Sequence, residues 1–292
     1  MYGYFDIGGT KTRVAVSRDG KSFGEPVKFD TPQDFEEGIH RISEELRKLS
    51  GDQVFLAIGG GIAGPLNHER TTLLMAPHLP QWVGKPIVEA LLANVRTHHV
   101  YLENDSAIVG LGESHYGAGK GDAIMAYITV STGVGGVRIV DGHIDRSSIG
   151  FEPGHQILDI DKTMFPELHA DEAEEIISGT AIAERFHKKA YEVTDPAVWE
   201  ELAKLLAYLL NNVTVFWSPD SIVLGGSMVV GDPAIPVDRV AYHLDQILTI
   251  FPKKPVVKEA TLKDLGGLYG AMAFVAQRAN TLIISHIKSN SQ

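Results

Sequence analysis

Three glycine-rich turns each follow an apolar run: Asp6-Ile7-Gly8-Gly9-Thr10-Lys11, Ser131-Thr132-Gly133-Val134-Gly135-Gly136 and Leu224-Gly225-Gly226-Ser227-Met228. Glycine permits positive φ and close backbone approach, so amide N–H groups in such turns can converge on phosphate oxygens. Thr10 and Thr132 add hydroxyl donors, Lys11 a point charge, and Asp6 a carboxylate able to hold a magnesium-bound water. A single turn of this kind is more often a plain hairpin or strand–helix connection; three, in two separated regions, shift the balance toward nucleotide phosphates. The pattern G-x-x-x-x-G-K-[ST] is absent, so an ordinary P-loop is set aside.

Two acidic clusters offer a second kind of chemistry. Glu103-Asn104-Asp105-Ser106 stands where a strand should end and a helix begin. Asn, Asp and Ser all cap helices well, so capping alone would account for each. A carboxylate there can also accept the proton of an attacking hydroxyl while the helix dipole keeps it ionised, and spacing alone leaves the two readings even. In Glu152-Pro153-Gly154-His155, the Pro and Gly fix a turn that presents Glu152 and His155 on one side. A carboxylate and an imidazole suit vicinal sugar hydroxyls, although an isolated turn of this composition is more often plain surface. A lone His is no metal site.

These residues need elements to position them. The sequence predicts strands at Tyr2–Ile7 and Thr12–Ser17 joined by Gly8-Gly9, a third at Glu25–Phe29, and a helix over Gln33–Leu49 from the spacing of Phe35, Ile39, Ile42, Leu46 and Leu49. A buried strand at Val54–Ile58 should stop at Gly59-Gly60-Gly61, with an ordered loop from Gly64 to Pro86, a strand at His98–Leu102 and a helix from Asp105 to His115. Gly117–Gly121 is the expected boundary between a small N-terminal α/β domain, residues 1–117 completed by the C-terminal helix 266–292, and a larger one, 118–265. The second domain opens like the first, with strands Ala123–Val130 and Val134–Val140 around Ser131-Thr132-Gly133, which suggests an internal duplication. Helices at Thr180–Ala190, Pro196–Trp217, Pro236–Ile250 and Gly266–Ala279 and strands at Ser221–Leu224 and Val256–Ala260 complete an α/β pattern, with a fraying tail from Asn280.

Composition narrows the function classes. The chain has 292 residues, 26 basic against 37 acidic for a net charge of −11, and no cysteine. Acidity argues against nucleic-acid binding, and the missing cysteines exclude disulfides, thiol nucleophiles and thiolate zinc sites. No apolar run approaches the roughly 20 residues that cross a bilayer, and Met1–Asp6 lacks the pattern of a signal peptide. The expectation is a cytoplasmic protein with no membrane partner.

Taken in order, the motifs D-I-G-G-T-K at 6–11, E-N-D-S-A-I-V-G-L-G-E at 103–113, S-T-G-V-G-G at 131–136, E-P-G-H at 152–155, S-G-T-A at 178–181 and L-G-G-S at 224–227 resemble the ROK family of sugar kinases. The resemblance runs from Phe5 to about Ala276. It implies two ribonuclease-H-like domains of the actin/hexokinase-like ATPase kind, with an interdomain cleft where sugar and ATP meet. It implies Asp105 as the general base, and Gly64, Asn104, Asp105, Glu152, His155 and Glu174 as sugar-binding positions. Asp6, Gly8, Gly9, Thr10, Lys11, Thr132, Gly133, Gly179, Gly225 and Gly226 fall at ATP-binding positions, with Mg2+ carried mainly on the ATP. Ala76-Pro77-His78-Leu79-Pro80-Gln81-Trp82 resembles a loop near the sugar, with His78 in place of the family's Asn. A homodimer is common among such relatives.

One departure is large. Most members follow the Gly-His pair with a C-x-C-G-x-x-G-C zinc clasp, whereas residues 156–173 here offer Asp159, Asp161, His169 and Asp171 without a thiolate. No structural zinc is expected. The segment should then be held by Ile157, Leu158, Ile160, Met164, Phe165 and Leu168, with His155 serving the sugar alone. The expected activity is transfer of the γ-phosphate of ATP to the 6-hydroxyl of glucose, with N-acetylhexosamine or fructose as the alternative acceptor. A sugar-responsive repressor is disfavoured, because the first phosphate turn begins at Asp6 and leaves no room ahead of it for a DNA-binding domain.

Overall fold

The computed structural model describes residues 1–166 and 170–289, the stretch 280–289 by its backbone alone. The chain divides into two compact units: Met1–Gly112 with Ser147–Gly150 and Asp264–Gln292, and Glu113–Arg146 with Phe151–Lys263.

In the first unit β1 (Tyr2–Ile7), β2 (Lys11–Ser17) and β3 (Val27–Asp30) form an antiparallel meander. Strands β4 (Ala57–Ile62) and β5 (Val100–Asn104) then join in parallel, so the sheet order is β3-β2-β1-β4-β5. Helix α1 (Phe35–Ser50) starts where the Asp34 side chain accepts from the Glu37 N–H, and stops at Gly51 in the left-handed region. Its Phe35, Ile39, Ile42 and Leu46 are buried in one cluster with Phe5, Ile58 and Trp82. Each such side chain contributes roughly 1.5–3 kcal/mol by leaving water.

The glycine run expected to end a strand lies inside β4 instead. A side chain at Gly60 would sit 1.7 Å from the Phe5 carbonyl oxygen, and one at Gly59 2.8 Å from that of Tyr101. These glycines let neighbouring strands approach, which is why a composition that reads as a turn is buried sheet. Gly59, Gly61 and Gly64 also spell G-x-G-x-x-G, but the first two lie inside this strand and the third just past its end, so the spacing is not a dinucleotide turn between a strand and a helix. The structure adds helix α2 (Ile87–Asn94), which the sequence reading missed, and places β5 two residues later than expected. Helix α3 (Asp105–Tyr116) follows β5 directly.

The second unit repeats the plan of the first. An antiparallel meander of β6 (Ile124–Val130), β7 (Val134–Val140) and β8 (His143–Ile144) is extended in parallel by β9 (Ser221–Gly225) and β10 (Val256–Glu259). The order β10-β9-β6-β7-β8 mirrors the first sheet strand for strand, so the likeness of the two opening hairpins extends to five strands in each unit. This is an α/β fold of two ribonuclease-H-like units.

Its helices are α4 (Ala173–Ile177), α5 (Gly179–Phe186), α6 (Pro196–Trp217), α7 (Ser227–Val230) and α8 (Val237–Ile247). α5 is shorter than expected because His187 turns left-handed, at φ 52°. α6 has the bounds read from sequence, with Asp195 accepting from the Ala197 N–H and Pro196 in the first turn. The C-terminal helix runs from Gly266 to Ser289, past the expected end at Ala279; positions 290–292 of the expected tail lie outside the described residues. Among the described residues no helix is long and apolar enough to cross a membrane.

Candidate active site

Asp6 and Asp105 lie on either side of Gly61. Gly61 pairs with Asp6 across the β1–β4 ladder, and a side chain on it would come within 2.9 Å of the Asp105 Cα. The missing Cβ thus lets the first residue of α3 settle against the sheet, at the carboxyl ends of β4 and β5, where parallel α/β sheets bind ligands. The capping question resolves in favour of Asn104: its Oδ1 accepts from the Ala107 N–H at 3.1 Å, and its Nδ2 donates to the Gly64 carbonyl at 3.2 Å. Asp105 stands one position further on, and its Oδ1 accepts from the Ser106 N–H at 2.7 Å. Gly64 sits at φ 121°, with the Met75 carbonyl 2.4 Å from where a Cβ would be, so no other residue fits.

Asp6 is enclosed by β2 and by the start of the C-terminal helix. Arg13 Nη1 is 3.6 Å from its Oδ2, and a side chain at Gly267 would meet its carboxyl group at 2.5 Å. Burial pushes its pKa up to about 6; the Arg13 guanidinium opposes this and the Asp264 carboxylate adds to it. A carboxylate short of compensating charge suits a cation-bound water, so the residue present fits magnesium. In the Gly8–Lys11 turn the Gly8 N–H is taken by the Lys11 carbonyl at 3.0 Å. Thr10 is exposed, and the Lys11 ammonium pairs with Asp30.

In the second unit the expected residues gather at the end of β6. Glycines again make the contacts: a Cβ at Gly136 would strike Pro153 and one at Gly154 the Val134 carbonyl, so the Glu152–His155 turn lies flat on β7. Glu174, at the start of α4, accepts from the Val134 N–H at 2.6 Å and lies 2.5 Å from a Cβ built on Gly133. Thr132 gives its carbonyl to the Thr180 N–H and hydroxyl, and the Gly179 N–H donates to Ser131 at 2.7 Å. Gly226, at φ 87°, approaches the Val130 carbonyl, and Gly225 approaches the Tyr127 ring. Desolvation raises the Glu152 carboxyl, eased by His155 and reinforced by Glu174, so the three side chains share one electrostatic environment.

The segment after His155 corrects two expectations. Ile157 is 58% and Ile160 85% exposed, and Met164 is exposed as well, so these three are not anchors. Phe165 is buried, with the Arg185 guanidinium 4.2 Å from its ring centroid, and Leu158 packs on the core; Leu168 and His169 lie outside the described residues. Polar contacts do more of the work. The buried Asp159 accepts from the Met164 N–H at 2.6 Å, and the Leu158 and Ala173 N–H groups reach the Asp171 and Gln156 carbonyls at 2.7 and 2.8 Å. His155 does not stand alone either: its Nδ1 is 2.6 Å from Glu172 Oε2. Among the described residues no cluster of three or more His, Asp or Glu could hold a metal ion.

Sequence reasoning passed over Glu172, Glu113 and Gly267. Glu172 is hidden in the acidic run Asp171–Glu175, just ahead of a helix of only five residues, too short to give a periodicity from which to read its direction. Glu113 is buried in α3 and accepts from the backbone N–H groups of Ala118, Thr261 and Leu262 at 2.8–3.0 Å. Through the Ala118 N–H it ties down the Gly117–Gly121 stretch.

Known proteins resemble this chain over nearly its whole length. A family model described as the ROK family matches residues 2–278. A glucokinase of Thermotoga maritima is 31% identical over 191 residues, which span 64% of this chain and 60% of that enzyme. A fructokinase of Zymomonas mobilis is 31% identical over 96% of this chain and 98% of its own length. The crystal structure of a ROK hexokinase from Thermus thermophilus superposes with a TM-score of 0.77 at 26% identity, covering 95% of this chain and 99% of the other.

Proposed function

The chain belongs to the ROK family, and from that premise we propose that it is a sugar kinase, transferring the γ-phosphate of ATP to the 6-hydroxyl of glucose. The observation that carries the reading is the gathering of Glu152, His155 and Glu174 beside the Ser131–Gly136 turn: two carboxylates and an imidazole next to a backbone shaped by glycine. Such a set orients vicinal hydroxyls, and the turn beside it suits phosphate oxygens.

In this reading Asp105 takes the proton of the attacking hydroxyl; it stands in the first turn of α3, where a helix N-terminus favours a carboxylate, with its Oδ1 accepting from the Ser106 N–H. Asn104, whose amide is already oriented by the Ala107 N–H and the Gly64 carbonyl, binds the sugar with Glu152, His155 and Glu174. Gly9, Thr10, Lys11, Thr132 and Gly133 hold phosphate oxygens, and Gly179, Gly225 and Gly226 form the nucleotide pocket. The Gly8 N–H stays in its hairpin. Asp6 would hold a magnesium ion through water, and the ion would supply positive charge for the phosphoryl group being transferred.

Fructose is the second reading, favoured by the 31% identity to a fructokinase over nearly the whole of both chains. The test is a coupled ADP-release assay across hexoses and N-acetylhexosamines. Glucose is expected to give the highest kcat/KM; preference for another sugar would refute the glucose assignment alone. Absence of sugar-dependent ADP release from the whole panel would refute the kinase reading.

A further inference from the structure

The backbone around His155 sets a particular partner opposite its ring. Ile157 and Glu172 form an isolated antiparallel bridge, flanked by the Leu158–Asp171 and Ala173–Gln156 hydrogen bonds at 2.7 and 2.8 Å. Glu172 is held at the start of α4, where the Glu175 side chain accepts from its N–H at 3.5 Å. This short ladder returns the chain to His155 and brings Glu172 Oε2 within 2.6 Å of His155 Nδ1.

We propose that Glu172 is a positioning residue for the sugar site: its carboxylate takes the Nδ1–H of His155, fixing the rotation and tautomer of the ring and reserving Nε2 for a substrate hydroxyl. The inference rests on the sugar-kinase reading above. Its chemistry is that of any imidazole held by a carboxylate at one nitrogen: the held nitrogen keeps its proton in both charge states, so the other becomes the one that titrates and meets substrate. The surroundings favour the pairing. The Glu172 hydrogen bond raises the His155 pKa most, the Glu172, Glu174 and Glu152 charges add to it, and partial burial opposes them.

The role also accounts for how residues 156–173 serve the site without thiolates. Asp159 closes the far turn through the Met164 N–H, Lys162 reaches Asp171 at 3.3 Å, and the bridge at Ile157 and Glu172 delivers one carboxylate to the imidazole.

The test uses the full chain and two variants, Glu172→Ala and Glu172→Gln, with circular dichroism to verify folding. Long-range proton–nitrogen NMR of the sugar-free protein reads the His155 ring directly. The wild type is expected to carry its proton on Nδ1, and Glu172→Ala to lose that preference and titrate at lower pH. Kinetics on the sugar turned over by the wild type should show KM for sugar rising at least about fivefold in Glu172→Ala, while kcat and KM for ATP stay within twofold. Glu172→Gln, whose carbonyl oxygen still accepts the Nδ1–H, should recover most of the sugar KM. An unchanged tautomer in Glu172→Ala overturns the pairing, and a changed tautomer with an unchanged sugar KM overturns the positioning role. Should the wild type turn over no sugar, the kinase reading falls and takes the sugar role with it, while the NMR arm still judges the pairing.

Discussion

Replacing Asp6 by Asn should make the protein more stable at neutral pH. Burial moves this carboxyl from its ordinary 3.8 to about 6, so ionising it costs more in the folded chain than in the unfolded one. At about 1.4 kcal/mol per pH unit, the displacement amounts to about 3 kcal/mol. The side chain is only 15% exposed, so little of this is screened by solvent. The penalty is absent below the unfolded pKa, where both states are protonated. It grows as pH rises from 3.8 toward 6 and is constant above. Asn mimics the neutral form, so in urea unfolding Asp6→Asn should exceed the wild type by about 3 kcal/mol at pH 7.5 and by only about 1 kcal/mol at pH 4.5. Hydrogen exchange of β1 and β4 amides ties the change to the first unit. Equal stabilities at pH 7.5, or a difference that does not vary with pH, would refute the electrostatic reasoning. Because Asp6 is the residue proposed to hold the magnesium ion, kcat should fall in the variant while stability rises, the trade expected of a residue kept for function.

Four other substitutions test separate parts of the structure. Asp105→Asn should lower kcat by at least ~10²-fold with the sugar KM within threefold, as steady-state kinetics will read; a loss below threefold would remove Asp105 as the base. Glu152→Gln should raise the sugar KM and leave that for ATP unchanged, and an effect on ATP alone would contradict its assignment. Glu113→Ala removes the acceptor of the part-buried N–H groups of Ala118, Thr261 and Leu262, which water reaches only in part, so urea unfolding should show a loss of about 1–3 kcal/mol. Gly38→Ala gains about 1 kcal/mol of helix propensity, but its Cβ would meet Trp82 Cζ2 at 2.1 Å. That indole is held by the Pro32 carbonyl and the Phe35 ring, so overpacking should win, with a net loss of about 1–3 kcal/mol and a lower Tm.

Much of this was legible in the amino-acid order because it depends on neighbours in sequence. Asp34 and Asp195 cap the helices they precede, the apolar spacing from Phe35 to Leu46 dictates one buried face, and Pro196 opens a helix whose bounds were read correctly. The alternation in Tyr2–Ser17 and Ala123–Val140 specified two hairpins, and the ordered motifs pointed to the family that the match over residues 2–278 establishes.

The tertiary structure decided whatever depends on residues distant in sequence. Gly59–Gly61 are turn formers by type, yet lie in a strand because Phe5 and Tyr101 press on them from either side. Asn104 and Asp105 are equally good caps by type, and only the approach of Gly64 and the Ala107 N–H assigned the cap to Asn104. Asp6 acquires its raised pKa from burial, and Gly267, more than 250 residues away, lies close over its carboxyl group for want of a side chain. Glu172 meets His155, seventeen positions before it, because a single bridge pairs Ile157 with Glu172. Sequence alone determined which chemical groups the protein possesses and the elements that carry them. Desolvation and long-range contact, which no local pattern encodes, decided the partner and charge of each group.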